Sequence, residues 1–140
     1  MKTTFKILLI CLSIFWLNNS CSSDNAEPTF VNDFTITMDE NPTKDQLIGI
    51  IPFESDKGES ITTSILTQTV ANAIHVPYPD GLYSNKIFVN NPVLFDFETN
   101  PVLKVTLKVT KVRLKLDFVT MVPLDTKTIT VTINLKDLPD

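Results

Sequence analysis

From Thr128 to Leu135 the chain alternates without a break: Ile129, Val131, Ile133 and Leu135 stand between Thr128, Thr130, Thr132 and Asn134. A period of two sends successive side chains to opposite faces of an extended strand, whereas a helix repeats every 3.6 residues. The same alternation recurs in Phe34, Ile36 and Met38 against Thr35 and Thr37, and in Val105, Leu107 and Val109 against Lys104, Thr106 and Lys108. Each set predicts a strand with one face in a core and one in water. No segment holds helical spacing, so the chain is expected to be all-β.

Leu47 to Pro52, Ile61 to Leu66, Ala73 to Val76, Lys86 to Val89 and Val112 to Val122 supply further strand candidates. Between them Asp56-Lys57-Gly58, Pro77 to Gly81, Asn90-Asn91-Pro92 and Pro123-Leu124-Asp125 carry turn chemistry. About seven short strands at such intervals imply an immunoglobulin-like Greek-key β-sandwich. One stretch breaks the register. Inward positions are odd-numbered through Val109 but even-numbered at Val112, Leu114 and Leu116, which requires a turn or bulge near Thr110-Lys111. Val112 to Pro123 reads as one strand, extended by an insertion ahead of the last strand.

The N-terminus reads as an address. Lys2 and Lys6 precede an apolar run from Ile7 to Leu17, and Asn18-Asn19-Ser20 lead into Cys21. Eleven residues rise only about 16 Å as a helix, roughly half a bilayer core, so residues 1–20 fit a signal peptide and not a span. A small residue before a cysteine resembles a bacterial lipoprotein signal, with Cys21 lipidated as the new N-terminus. Residues 21–32, which include Ser22-Ser23-Asp24-Asn25-Ala26-Glu27-Pro28, read as a polar tether, and residues 33–140 as one domain. The expected location is the bacterial outer membrane or cell surface, held through a lipid anchor.

Cleavage would remove two lysines and no acid, taking the formal charge from -4 to -6. That balance excludes nucleic acid as a natural partner, because its binding requires a basic surface. Cys11 leaves with the signal, so no disulfide closes within the mature chain. His75 is the only histidine and there are three glycines; no nucleophile elbow, phosphate loop or zinc helix occurs. A lone histidine in a short strand is far more often a packed or surface residue than a base. The chain is not expected to be an enzyme. Tyr78 and Tyr83 flank Pro79-Asp80-Gly81 and could stack on a sugar ring or simply rim the core.

Several segments, in order, carry a resemblance. Asp39-Glu40-Asn41-Pro42 is followed by Ile48-Gly49; Glu54-Ser55-Asp56-Lys57-Gly58 comes next; then Asp80-Gly81 with Ile87-Phe88-Val89; then Leu94-Phe95-Asp96-Phe97-Glu98-Thr99-Asn100-Pro101; and the last strand ends in Asp137-Leu138-Pro139-Asp140. From about Phe34 to Asp140 this series resembles a cadherin repeat, with the glutamate motif, the paired-aspartate motif, the L-D-x-E signature and the terminal aspartate motif in turn. Glu54 stands where that family has an aspartate, and Pro139 where it has a ligand-bearing asparagine.

The resemblance implies a cadherin-type sandwich with calcium at its tips. Ca²⁺ takes six to eight oxygens at about 2.3 to 2.6 Å in flexible geometry, so carboxylates from separate loops can share one ion. By the resemblance, Glu40, Asp96, Glu98, Asp137 and Asp140 would converge as metal ligands at the C-terminal tip; the alternative is a solvated acidic tip in which Glu40 caps loop amides. At the other tip Glu54 and Asp56 would need an aspartate where Lys111 stands, so a turn held by Asx-type hydrogen bonds is the better reading there. The expected function is an adhesion or binding module, possible calcium dependence included, that contacts protein partners homophilically or heterophilically. The alternative is a calcium-independent accessory lipoprotein that binds a polysaccharide or a partner protein.

Overall fold

The computed structural model describes residues 29–77, 85–115 and 120–139. Within them the chain forms β1 (Phe34–Asp39), β2 (Leu47–Ile50), β3 (Glu59–Gln68), β4 (Ile74–His75), β5 (Lys86–Val89), a 3-10 turn at Pro92–Leu94, β6 (Val102–Leu114) and β7 (Met121–Lys136). The strands make two sheets, ordered β1-β7-β6-β3 and β2-β5-β4. The chain passes between sheets from β1 to β2, from β2 to β3, from β3 to β4 and from β5 to β6, the crossed connection of an immunoglobulin-like sandwich. Several expected features fall outside the described residues: the signal peptide, Cys21 and the tether as far as Pro28, the Pro77 to Gly81 turn beyond Pro77 with Tyr78 and Tyr83, Leu116, and Asp140.

The alternating runs bury the faces expected of them. Ile129, Val131, Ile133 and Leu135 of β7 and Leu103, Val105, Leu107 and Val109 of β6 are buried. They meet Ile48, Ile74, Ile87 and Val89 of the second sheet around the fully buried Phe95. Phe30 and Val31, ahead of β1 and within the stretch read as tether, also lie in this core. Gly49 permits the two sheets to close at one corner: a Cβ built there would stand 2.5 Å from Ile36 Cδ1.

β1 pairs with β7 in parallel, Phe34 beside Val131 through Asp39 beside Lys136. Both strands therefore finish at the same tip of the sandwich. The register break expected near Thr110-Lys111 is present as a shift between Lys111 and Val112, where Lys111 faces Asp125 and Val112 faces Pro123, leaving Leu124 as the extra residue.

Two expectations are corrected here. Val112 to Pro123 is not one strand: β6 continues to Leu114, Lys115 N–H donates to the Thr120 carbonyl at 2.9 Å, and β7 runs back antiparallel from Met121. Pro123-Leu124-Asp125 is accordingly not a turn but the bulged part of β7, a place where a proline lacking an N–H is tolerated.

Candidate functional site

The parallel ends of β1 and β7 set up the acidic tip. Glu40 N–H donates to the Lys136 carbonyl at 3.2 Å, which extends the β1–β7 pairing by one residue. Asn41 then takes a positive φ of 54°, a conformation asparagine tolerates, and donates to the Phe95 carbonyl at 2.9 Å. This turns the backbone toward the segment after the 3-10 turn and points the Glu40 side chain inward.

Glu40 is 5% exposed, and it joins three segments. Its Oε2 accepts from Phe97 N–H at 3.0 Å and its Oε1 from Leu138 N–H at 2.7 Å. A buried carboxylate is stable only with such partners. Glu40 is thus a strut that holds the 95–98 loop and the chain after β7 against the end of β1.

Around that strut the acids gather. One ligand oxygen each of Glu40, Glu98 and Asp137 lies within 4.8 Å of the others, Glu98 and Asp137 being exposed. Opposed oxygens on a calcium ion are separated by about 4.6 to 5.2 Å, so a single ion can touch all three. The donors are all carboxylate oxygens, the hard type that suits Ca²⁺ or Mg²⁺ and not the nitrogen or sulfur sites of zinc.

Asp96, by contrast, has its carboxylate engaged locally: Thr99 Oγ1 donates to Oδ2 at 2.6 Å and Glu98 N–H to Oδ1 at 3.2 Å. The Thr99 hydroxyl, with the Glu98 side chain and the loop amides, holds the Asp96 carboxyl below the usual carboxylate range. For Glu98, a backbone hydrogen bond pulls its pKa down, but the Asp96 side chain, desolvation and the charges of Glu40 and Asp96 outweigh it and raise the value. Glu98 is the acid of this loop that takes up a proton first. Of the five residues expected at the tip, the fold brings three onto one point, places Asp96 beside them as the orienter of the loop, and leaves Asp140 outside the described residues.

The opposite tip is built differently. Lys111 Nζ stands 3.3 Å from Glu59 Oε2, and Arg113 Nη2 2.6 Å from Glu59 Oε1. The Lys111 ammonium also lies 5.3 Å from the centre of the Phe30 ring. Asp56 belongs to a turn closed by Glu59 N–H donating to its carbonyl at 3.1 Å, with Gly58 at a φ of +84°. The side-chain bond of that turn is a correction to the Asx reading: the Asp56 N–H donates to Glu59 Oε2 at 3.0 Å. This amide, together with Arg113 and Lys111, lowers the Glu59 pKa. Glu54 contributes its backbone, donating to the Phe30 carbonyl at 2.8 Å.

Glu59 was therefore the missed residue. Its one signal in the sequence was an acid three positions after Asp56; its pairing with Lys111 and Arg113 comes from the β3–β6 ladder. His75, read from the sequence as a packed or surface residue, sits with Nε2 3.0 Å from Asp45 Oδ1 and stacks on Phe88 at 5.6 Å between ring centres.

No protein-family model and no curated protein matches this chain. Solved structures do. The chain is similar to mouse cadherin-23 EC22-24, at 18% identity and a TM-score of 0.56 over 80% of this chain and 32% of that one. To the human desmocollin-1 ectodomain it is 20% identical, with a TM-score of 0.54 over 76% of this chain and 19% of that one. To mouse protocadherin-24 EC1-3 it is 19% identical, with a TM-score of 0.53 over 74% of this chain and 31% of that one. It spans about a third or less of the length of each of these chains. The likeness shows the fold: this domain is an immunoglobulin-like β-sandwich of the cadherin type.

Proposed function

We propose that this chain is an envelope-anchored binding module of cadherin-like fold that acts in adhesion, and that its C-terminal tip takes a calcium ion. The observation that carries the reading is the convergence of Glu40, Glu98 and Asp137 from three separate segments, with ligand oxygens within 4.8 Å of one another. Repulsion among acids so placed is relieved by a divalent cation. Asp140 would add a further carboxylate, Asp96 would orient the loop that carries Glu98, and water would fill the remaining positions. Such a shell belongs with the weak extracellular sites, at about 10⁻⁴ to 10⁻³ M.

Three further points support the reading. The solved structures of like fold come from a cadherin, a desmocollin and a protocadherin, among them an ectodomain. Ser20-Cys21 after a short apolar run supplies a lipoprotein-type anchor, which would leave the domain facing outward from the bacterial surface toward protein partners or a polysaccharide. The Lys111 and Arg113 pair on Glu59 places cations at the far tip, so one end of the domain is suited to metal and the other is not.

Thermal unfolding with chelator and with about 10 mM Ca²⁺ tests the proposal, since a ligand bound only by the native state raises the melting temperature. The increment should vanish in Glu98→Ala and persist in Glu54→Ala. Coincident melting curves with and without the ion reject the calcium site.

A further inference from the structure

The long hairpin of β6 and β7 leaves a strand edge that β1 does not cover. β7 runs from Met121 to Lys136, but β1 lies beside it only from Val131 onward. Among the described residues, Met121 to Thr130 therefore have β6 on one side and no strand on the other. Pro123 to Thr126 and Thr128 are exposed. An open edge of this kind is a template on which another chain can pair. Two copies of it suit each other, because an antiparallel two-fold arrangement pairs the edge with itself.

The edge is nonetheless closed to pairing at most of its donors. Thr130 N–H points away from β6 and donates to Asp33 Oδ1 at 2.8 Å. With a period of two, the amides that face the same way between the bulge and β1 are those of Thr126 and Thr128. Thr126 N–H is taken by Asp125 Oδ1 at 2.7 Å. Pro123, across the bulge, has no N–H to offer. Asp33 acts by its position: β1 extended by one residue would set it beside Thr130. Instead the chain ahead of it turns toward the segment after β2, where the Phe30 carbonyl accepts from Glu54 N–H at 2.8 Å. The Asp33 carboxylate thus replaces the backbone acceptor that a longer strand would supply.

A carboxylate is a stronger acceptor than a carbonyl, so an incoming strand would have to break two charge-assisted bonds and desolvate two anions. Thr128, whose N–H has no partner among the described residues, lines a notch of about 450 Å³ with Asn32, Asp33 and Lys127. Lys127 makes no ion pair among the described residues, and a lysine on an edge strand is itself an obstacle to pairing. We infer that Asp33 and Asp125 guard this edge: with Pro123, the bulge at Leu124 and Lys127, they keep two copies of the domain from joining β7 to β7 in one continuous sheet. The device is independent of the calcium reading, whose Asp137 lies beyond the other end of β7.

The test uses the full chain in chelator, so that its outcome is separate from that of the acidic tip. Asp33→Ala with Asp125→Ala frees the Thr126 and Thr130 amides. By sedimentation the parent should stay monomeric to about 1 mM, whereas the double variant should dimerise with a Kd of about 0.1 mM or below. Its Thr126 to Thr130 amide signals should shift with concentration while those of β3 stay fixed. Adding Thr128→Pro removes an amide that faces the edge and no bond to β6, so the triple variant should return to monomer. Asp125→Ala alone, at an exposed position, keeps the test decisive should the double variant fail to fold; it should dimerise measurably where the parent does not. Variants as monomeric as the parent would overturn the proposal, as would a parent that already pairs through these amides. A triple variant that associates as strongly as the double would overturn it too, because the contact would then lie elsewhere than this edge.

Discussion

Glu40 is assigned two roles, and Glu40→Ala separates them. In the absence of calcium the residue is a strut, accepting from Phe97 and Leu138 through different oxygens. Hydrogen bonds to a charged group are worth about 1.5 to 3 kcal/mol each when a partner is removed. Leu138 is exposed and water can replace its acceptor, whereas Phe97 is half-buried and its N–H would be left less well satisfied. The loss should therefore amount to about 3 kcal/mol, a large share of a net stability of about 5 to 15 kcal/mol. For a domain of this size it should appear as a fall of roughly 10 to 15 °C in melting temperature. Calorimetry or denaturant unfolding in chelator reads it directly. Glu98→Ala is the control, because that carboxylate sits at the same tip yet serves no second segment, and its removal in chelator should leave the melting temperature unchanged or raise it. Equal losses from Glu40→Ala and Glu98→Ala, or a Glu40→Ala loss below about 1 kcal/mol, would refute the strut.

Other outcomes follow from the core, the far tip and the N-terminus. Ile133→Asp should unfold the domain, since a charge in the dry inter-sheet space costs several kcal/mol, while Thr132→Asp on the outer face should cost within about 1 kcal/mol by urea titration. Because the folded-state pKa of Glu59 is lowered, the Asp56 amide bond and the Arg113 and Lys111 pairs of its carboxylate stabilise the domain above the unfolded value near 4.5, and that contribution is lost as pH falls through the folded value. Glu59→Gln should accordingly flatten the stability profile below about pH 5, as followed by unfolding at stepped pH. Glu98 runs the other way: its raised pKa makes the charged acid unfavourable in the fold, so stability in chelator should rise as pH drops through that value, and Glu98→Gln should remove the rise. Cys21→Ala should move the protein from the membrane pellet to the soluble fraction, and retention in a washed pellet would reject the lipid anchor.

Much of this architecture was legible because a half-buried strand writes itself into the sequence as alternation. Val105 to Val109 and Ile129 to Leu135 bury the expected side, Phe34 to Met38 packs its expected side half-buried against the core, and even the parity change at Val112 announced a real register shift. The reading failed where chemistry with two uses had to be assigned one. Pro123-Leu124-Asp125 has the composition of a turn and lies in a bulged strand, because the long pairing of β6 with β7 overrides local preference. Val112 to Pro123 looked continuous because a hairpin between two alternating strands preserves their apolar content.

The sequence by itself determined the all-β class, the faces of the main strands, and the order of the acidic segments. It could not show which acids meet, because that depends on a parallel pairing between residues almost a hundred positions apart, Phe34 beside Val131. Only that pairing brings the ends of β1 and β7 to one tip, turns Glu40 inward as a strut, and sets Glu98 and Asp137 on the same point. The same limit hid Glu59, whose partners Lys111 and Arg113 lie more than fifty residues away and reach it only across the β3–β6 ladder. Periodicity is a local property of the backbone and is written along the chain; convergence of charge is a property of strand order, which long-range packing alone decides.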